Sequence, residues 1–544
     1  MTACTINRRS VIAGGGAGAL IATGMSNETV AKPVRMRTVR VATRSGMVEG
    51  RIQDGVIAFD GIPYGADTGP SRFQPPQEPE PWRGIGNGPD RQRACWQNAA
   101  TDVPQSEDCL FLNLTTPRCD SAQRPVLVYV HGGAYMTGTA ADPLYDGAAL
   151  AAKHDVVVVR INHRLNVFGY LYLDPIARKV GGPSKRYFGS GNAGQADLIL
   201  ALHWIRTHIR DFGGDPSRIL IFGQSGGGAK IATLMAQPDA AGLFNRVLTM
   251  SGQQVTASGP LNATRRTRAL LSTLGVPETE AGLSQLQKIP QRDLLQALKI
   301  TDPILQTGGL YLGPVMDGKA LMRHPFFPDA PRQSARIPMI IGNTREETRY
   351  FYARSPEFFT LDWAGLMEAL PGGMRVDIDP TRVIDTYRRL YPEADASTIF
   401  FLATTVSRSW RGAVEELEAR ARQVGRDVAS TWTYQLNWKS PLDAGRFGAC
   451  HTLDIPLMFG TTRAKGALSG DGPEARRLAD QCGTLLARFA RTGDPRGPEV
   501  ADWAPYDLGR RTTLMLDLPL SIAEDPRGEE RRLFASVPYV QPGT

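Results

Sequence analysis

A serine between glycines is the residue whose setting most clearly indicates chemistry. Ser225 is the centre of a G-x-S-x-G motif at residues 223–227, after the apolar run 219–222 and before the helix-compatible segment 229–234. A strand, a sharp turn and a helix in that order place the hydroxyl in a cleft beside the helix N-terminus. Glycines let the strand and the helix approach closely enough for the turn. The pattern predicts a nucleophilic serine rather than an ordinary tight turn.

A second glycine-rich segment could stabilise the negative charge that forms when the serine attacks a carbonyl group. The apolar run 125–130 predicts a buried strand that leads directly into residues 131–135, His-Gly-Gly-Ala-Tyr. A tetrahedral intermediate needs backbone N–H donors aimed at its oxyanion, and small residues let the substrate approach them. One donor is expected from the residue after the nucleophile, Gly226, and the others from this loop. A plain Gly-Gly hairpin would not predict the serine turn further along the chain.

The positions of the histidines narrow the search for a general base. Of seven histidines, only His324 and His451 follow the serine, and the expected chain order is serine, acid, histidine. Because His324 leaves little chain for an intervening strand that carries the acid, His451 is the predicted base. The acid should follow a strand, and the apolar segment 338–343 is soon followed by Glu346 and Glu347. The pattern alone does not choose between these two carboxylates.

Several further segments resemble the type-B carboxylesterases, the family shared by cholinesterases, lipases and bacterial para-nitrobenzyl esterases. The resemblance spans most of residues 40–520, and its most specific string is Glu-Asp-Cys-Leu-Phe-Leu-Asn at 107–113. Other matching segments are 61–64, 72–76, 131–133, 162–166, 212–216 and 223–227. The resemblance implies an α/β-hydrolase fold, with a large, mostly parallel central sheet flanked by helices. Insertions at about 260–335 and 353–425 are expected to form the gorge and the lid.

The resemblance also implies roles for individual residues. It makes Glu347 the acid of a triad and adds structural pairs to the site. The catalytic residues it implies are Ser225, Glu347 and His451, and the oxyanion donors are Gly133, Ala134 and Gly226. The implied pairs are the ion pairs Arg72–Glu107 and Arg164–Asp197 and the disulfide Cys95–Cys109. No partner is assigned to Cys119, Cys450 or Cys482, and Cys450 is expected to be a small buried hydrophobe.

Four positions in the site depart from the pattern of the family. Gln224 and Gly226 replace the usual glutamate and alanine that flank the serine, and Thr348 replaces the glycine after the acid. Ala134 replaces the third glycine of the commonest oxyanion loop, and its Cβ restricts the backbone beside the ester. No catalytic group is removed, so we expect the departures to affect specificity. Poor hydrolysis of tert-butyl esters is one expected effect.

The N-terminus resembles a signal for Tat export. Arg8 and Arg9 precede a short, weakly apolar, glycine-rich run at 13–23, which is too short to span a membrane. Residues 1–31 are therefore the predicted signal region, with Ala31 a candidate end, and residues 32–544 the predicted single catalytic domain. Export to the periplasm or the medium would also suit a disulfide, which persists in an oxidising compartment.

Composition limits the other classes of function. The chain has 544 residues, of which 42% are hydrophobic, and its net charge is +8. The densest basic cluster, residues 265–268, has no aromatic interleaving, so a solvated face is expected rather than a nucleic-acid site. No segment of the mature chain is long enough to span a membrane. We expect a monomer or weak oligomer that acts on a small-molecule ester without a metal or an organic cofactor.

The reaction implied by the family is ester hydrolysis through an acyl-enzyme. The same triad could instead hydrolyse amides or polymer esters, or transfer an acyl group to an alcohol. A non-catalytic, cholinesterase-like binding module is a further alternative, but such modules generally lose a triad member, and this chain keeps all three. The sequence does not identify the natural substrate.

Overall fold

A twelve-stranded sheet runs through the centre of the protein in the computed structural model, which describes residues 37–423, 425, 427–541 and 543. The predicted signal region, with Arg8, Arg9 and Ala31, lies outside the described residues. The strands, in chain order, are β1 (Thr38–Ala42), β2 (Met47–Gln53), β3 (Val56–Pro63), β4 (Ala94–Cys95), β5 (Gln105–Ser106), β6 (Phe111–Thr116), β7 (Arg124–Val130), β8 (Val157–Ile161), β9 (Gly214–Gln224), β10 (Arg246–Met250), β11 (Met339–Thr344), β12 (Thr431–Leu436), β13 (Thr512–Leu516) and β14 (Ser521–Glu524).

The sheet is mostly parallel, with antiparallel strands at its two edges. Its order is β1-β2-β3-β6-β8-β7-β9-β10-β11-β12-β13-β14, while β4 and β5 form a separate pair. The strands from β8 to β13 in that order are all parallel. Together with the helices that flank it, this sheet confirms the predicted α/β-hydrolase fold.

The central strands are apolar on both faces because both faces are covered. In β7, Val126, Val128 and Val130 enter one core cluster, whereas Leu127 and Tyr129 enter another. Successive side chains of a strand point to opposite faces, so an unbroken apolar run is expected where both faces are buried. The helices, in chain order, are α1 (Ala148–His154), α2 (Asn166–Tyr170), α3 (Asp174–Val180), α4 (Ala193–His208), α5 (Gly226–Leu234), α6 (Pro260–Thr273), α7 (Glu280–Lys288), α8 (Gln291–Ala297), α9 (Thr348–Phe351), α10 (Trp363–Met374), α11 (Pro380–Leu390), α12 (Ala396–Thr405), α13 (Arg411–Ala421), α14 (Asp454–Phe459), α15 (Pro473–Thr492) and α16 (Gly528–Phe534).

Helices α4 and α15 cover opposite faces of the sheet. Leu198, Leu202 and Ile205 of α4 are fully buried in the first cluster, and Leu478 of α15 is fully buried in the second. The three- and four-residue spacing of the apolar residues in α4 gives one stripe that packs on the sheet. Helices α10, α11 and α12 build a third core together with Leu533 and Phe534 of α16, and this core includes Phe400.

The sequence led us to expect a solvated face at the basic cluster 265–268, but one of its arginines is buried. Arg266 of α6 is 1% exposed, and its Nε donates to Asp302 Oδ2 at 2.7 Å. The helix turns this residue inward while its neighbours Arg265 and Arg268 remain exposed. In the part of the chain that the structure describes, no helix combines the length and the apolar character that a membrane span requires.

Candidate active site

The serine lies at a sharp reversal between a strand and a helix. Strand β9 ends at Gln224, helix α5 begins at Gly226, and Ser225 between them has φ 56° and ψ −126°. A positive φ is strained for a residue with a Cβ, and it persists where neighbouring contacts fix the backbone. Here the Ser225 N–H donates to the carbonyl of Met250 at 2.8 Å. A Cβ at Gly227 would lie 2.0 Å from the Val130 carbonyl oxygen, so this reversal requires glycine.

A carboxylate after β11 binds the predicted base. Glu347 Oε2 lies 2.5 Å from His451 Nδ1, while Oε1 accepts the Thr344 N–H at 2.8 Å and a bond from Asn343 Nδ2 at 3.3 Å. Burial acts to raise the pKa of Glu347, but the electrostatic interaction with His451 and the hydrogen bonds from His451, Ser251 and Thr344 outweigh it and keep the pKa below its usual value. An ionised carboxylate on Nδ1 assigns the proton to that nitrogen and leaves Nε2 as an acceptor.

The neighbouring carboxylate has a different partner, which separates the two acids that the sequence left open. Glu346 Oε1 accepts from Arg349 Nε at 2.7 Å, and Oε2 accepts the Ala449 N–H at 3.0 Å. Glu346 therefore holds the loop that leads into His451 and does not touch the imidazole. Thr348, on the other side of Glu347, donates to the Phe401 carbonyl at 3.1 Å.

The amide of Gln224 contacts the other nitrogen of the imidazole. Gln224 Nε2 lies 3.1 Å from His451 Nε2, and since Nδ1 carries the proton, the amide is the donor. The residue before the nucleophile therefore occupies the lone pair that a general base uses. The sequence showed only that glutamine stands at this position and gave no sign of its partner.

The glycine loop presents free backbone donors. Gly133 has φ 85° and Ala134 has φ 52°. Among the described residues, no acceptor binds the N–H of Gly133 or of Ala134, and both residues are exposed. A Cβ at Gly226 would lie 2.2 Å from the Ala134 carbonyl oxygen, which explains why glycine follows the nucleophile in this chain.

A buried lysine fixes this loop, and sequence reasoning missed it. Lys230 of α5 is 0% exposed, and its Nζ donates to the Ala134 carbonyl at 2.6 Å. Burial lowers the pKa of Lys230 to about 7. The signal was present, because a lysine inside an otherwise apolar helix segment is rarely buried without a reason.

The triad and the loop line one small cavity. Its volume is about 170 Å³, and it contains residues from both predicted insertions, Tyr311 from the first and Arg375 and Arg408 from the second. The remaining lining residues are Ala134, Tyr135, Ser225, Gly226, Ala229, Ser251, Gly252, Gln253, Gln254, Glu347, Thr348, Phe351, Ser409, His451 and Gln541. A larger cavity of about 930 Å³ contains no triad residue, so its size does not make it the site.

Two buried ion pairs brace the region around the site. Arg72 binds Glu107 through two N–H groups, one of them Nε to Oε2 at 2.7 Å. Arg164 binds Asp197 through Nη2 to Oδ1 at 2.6 Å and Nε to Oδ2 at 2.9 Å. Loss of one partner of such a pair typically costs about 3–5 kcal/mol, because the other charge stays buried.

The described cysteines are free thiols. Cys95 and Cys109 are both buried, and their side chains contact each other, which raises the pKa of Cys109. The crosslink between them stays a prediction. Cys450 and Cys482 are buried in the second core cluster, and Cys119 is half-buried.

Comparison with known proteins places this site in a family. The carboxylesterase family model matches residues 37–534. The para-nitrobenzyl esterase of Bacillus subtilis (strain 168) is 34% identical over 521 residues, which cover 91% of this chain and 98% of that protein. A crystal structure of a Geobacillus stearothermophilus carboxylesterase has a TM-score of 0.76 at 32% identity, with 91% of this chain and 99% of that chain covered.

A third similar protein is an esterase from Clostridium hathewayi, described as able to hydrolyse aliphatic aromatic polyesters. Its TM-score is 0.74 at 28% identity, with 92% of this chain and 100% of that chain covered. The chain belongs to the carboxylesterase family. It is a carboxylic ester hydrolase, and the resemblance drawn from the sequence motifs is confirmed.

Proposed function

We propose that this protein hydrolyses small carboxylic esters through an acyl-enzyme on Ser225. His451 Nε2 takes the hydroxyl proton as Ser225 Oγ attacks the ester carbonyl, and Glu347 stabilises the imidazolium. The intermediate collapses as His451 returns the proton to the departing alcohol. Water then attacks the acyl-enzyme in the same way and releases the acid. The observation that carries the proposal is the bond from His451 Nδ1 to Glu347, at 2.5 Å, beside the strained serine.

The backbone donors for the oxyanion in this mechanism are Gly133, Ala134 and Gly226. The free N–H groups of the first two support this role, since a donor already bound to protein could not serve it. Gln224 must release Nε2 during the reaction, because a neutral imidazole nitrogen offers one lone pair and the serine proton needs it. The cavity of about 170 Å³ favours a small acyl group over a polymer chain.

Covalent labelling tests the nucleophile. A phosphonate ester should label the wild type on the peptide that contains Ser225, and Ser225→Ala should lose both the label and hydrolysis of a para-nitrobenzyl ester by several orders of magnitude. Ser251→Ala is the matched control for labelling, because Ser251 lines the same cavity. A folded Ser225→Ala protein that kept most of its activity would refute the proposal.

Substitution of the two neighbouring glutamates tests the acid. Glu347→Gln should lower kcat by orders of magnitude, because it removes the charge that supports the imidazolium. Glu346→Gln should have a milder effect, since it weakens only the bond to Ala449 and the pairing with Arg349. The reverse ranking would assign the acid to Glu346.

We also propose that the chain is exported through its twin arginines and that Cys95 and Cys109 then form a disulfide. The adjacent thiols support the second step. Replacement of Arg8 and Arg9 by lysine should leave the precursor inside the cell, and peptide mapping of exported protein without reductant should show the crosslink. Unchanged export of the double variant, or free thiols in the exported protein, would contradict the respective step.

A further inference from the structure

Two arginines line the cavity of the serine. Arg375 follows α10, and Arg408 lies in the π-helical turn Val406–Trp410. Among the described residues, no carboxylate comes within the 4.0 Å of an ion pair to either guanidinium. The arginines Arg72 and Arg164 outside this cavity, by contrast, each hold a carboxylate.

The two guanidinium groups line the same cavity, and the charge on Arg375 acts unfavourably on the charge on Arg408. Burial, and then the charge on Arg375, lower the pKa of Arg408, while the Tyr352 side chain acts weakly in the opposite direction. Like charges that share a site without a counter-charge destabilise it. An anion bound between them would remove both the repulsion and part of the desolvation penalty.

The guanidinium group of Arg408 lies near the imidazole of His451, and therefore near the position of the reacting ester. Its guanidinium carbon lies 5.2 Å from the centroid of the Phe351 ring, and the same ring lies 4.8 Å from the ring of His451. The guanidinium is therefore at most about 10 Å from the imidazole, the sum of the two distances. A group held by Arg408 would be separated from the scissile carbonyl by a short linker.

The turn that carries Arg408 is hydrogen-bonded to β11, the strand that precedes the acid. Ser409 Oγ accepts a hydrogen bond from Asn343 Nδ2 at 2.9 Å, and Asn343 also donates to Glu347. π-Helical turns are rare in proteins, and those that do occur are often found at functional sites. Here it joins α12 to α13 and brings residues 408 and 409 to the cavity.

We propose that this enzyme selects esters that carry a carboxylate a few methylene groups from the scissile carbonyl, with Arg408 and Arg375 as the binding residues. Monoesters of dicarboxylic acids are the simplest members of this class. The planar guanidinium fork matches a carboxylate through two parallel hydrogen bonds. The inference rests on the proposed role of Ser225 as nucleophile.

Two pairs of isosteric esters measure the preference. In the first pair, the carboxylate of monobutyl succinate is replaced by the isopropyl group of butyl 4-methylpentanoate. In the second, the carboxylate is on the alcohol side, and 3-acetoxypropanoate is compared with 3-methylbutyl acetate. The readout is the ratio of kcat/KM for the anionic ester over the neutral ester. The pair with the higher ratio shows on which side of the ester the arginines lie.

We expect a wild-type ratio above one in at least one pair and a fall of at least tenfold in the double variant Arg375→Gln, Arg408→Gln. Arg408→Lys should retain part of the preference, because it keeps the charge and loses the fork. Arg332→Gln is the control, since Arg332 is exposed and outside the cavity. If the double variant does not fold, the wild-type ratio should still fall as ionic strength rises.

The inference is overturned if the wild type prefers the neutral ester in both pairs. It is also overturned if a folded double variant keeps the wild-type ratio or, where the double variant does not fold, if added salt leaves the wild-type ratio unchanged. Its failure is distinguishable from failure of the proposed nucleophile, because loss of hydrolysis in Ser225→Ala is measured on the neutral esters alone.

Discussion

Replacement of Lys230 by methionine should weaken catalysis and change how stability depends on pH. Lys230 Nζ donates to the Ala134 carbonyl at 2.6 Å and contacts that of His131 at 3.5 Å. Methionine fills the same volume without a donor. Below pH 7, where the folded protein holds Lys230 protonated, this hydrogen bond involves a charged group and contributes about 1.5–3 kcal/mol. If the whole of this free energy is lost from transition-state stabilisation, kcat/KM should fall about 10- to 150-fold.

The sign of the pH effect follows from the burial of the lysine. Its pKa is lowered from 10.5 to about 7, so between these values the unfolded chain binds a proton that the folded chain does not. The free energy of unfolding therefore rises with pH across that window. At 1.36 kcal/mol per pH unit the full effect is about 5 kcal/mol, of which about 2 kcal/mol falls between pH 7 and pH 9.

A second buried group opposes this trend, so the comparison must be made with the variant. Burial raises the pKa of Glu416 from 4.5 to about 8, and its proton stabilises the folded state less and less as pH rises through that range. Both proteins contain Glu416, and its contribution cancels in the difference between them. That difference, wild type minus Lys230→Met, should grow by about 2 kcal/mol from pH 7 to pH 9.

Urea unfolding at pH 7, 8 and 9 measures this difference, and hydrolysis of a para-nitrobenzyl ester below pH 7 measures the loss of activity. Lys319→Met is the control, because Lys319 is exposed and loses only a surface charge. A stability difference that does not change with pH, together with kcat/KM within twofold of the wild type, would refute this reasoning.

Three further substitutions test the loop and its surroundings. Gly226→Ala should lower kcat/KM at least tenfold and stability by about 1–3 kcal/mol, because its Cβ would lie 2.2 Å from the Ala134 carbonyl; unchanged kinetics would show that the loop moves freely. Ala134→Gly relieves a positive φ of 52° at residue 134. The ratio of the hydrolysis rates of tert-butyl and n-butyl acetate should rise about tenfold, which corresponds to about 1.4 kcal/mol of differential transition-state stabilisation. Rates measured on the two esters side by side would show this rise or exclude it. Glu416→Gln keeps an acceptor for the Gln254 N–H. In urea unfolding, the free energy of unfolding of this variant should rise by about 3 kcal/mol relative to that of the wild type between pH 5 and pH 8. A difference between the two proteins that stays constant with pH would contradict the effect of burial on Glu416.

The sheet could be predicted from the sequence because its central strands are apolar on both faces. The run 125–130 and strand β7 differ by one residue, and the run 338–343 and strand β11 are offset by one. Helix boundaries were harder to predict, since α5 begins three residues before the predicted segment 229–234. The glycines at 226–228 disfavour a helix on propensity alone, and packing against β7 and β10 overrides that preference.

The contacts within the site could not be predicted to the same extent, because they join residues far apart in the chain. Neighbours in sequence do not show which of Glu346 and Glu347 reaches His451; that depends on the direction of the chain after β11. The contact of Gln224 with the imidazole spans 227 residues. The convergence of Arg375 and Arg408 depends on how the insertion folds, and its helices form a separate core together with Leu533 and Phe534 of α16.

Two of the departures from the family pattern, Ala134 and Gly226, are physically linked to Lys230 around one backbone carbonyl. Ala134 adopts a left-handed conformation, its carbonyl lies where a Cβ of residue 226 would be, and Lys230 binds that same oxygen. Glycine at 226 is therefore the consequence of this loop geometry, and the lysine is what holds it. Residues that share one contact do not act independently. The three should be treated as one unit that sets the shape of the oxyanion loop, so a change at one of them alters the effect of changes at the other two.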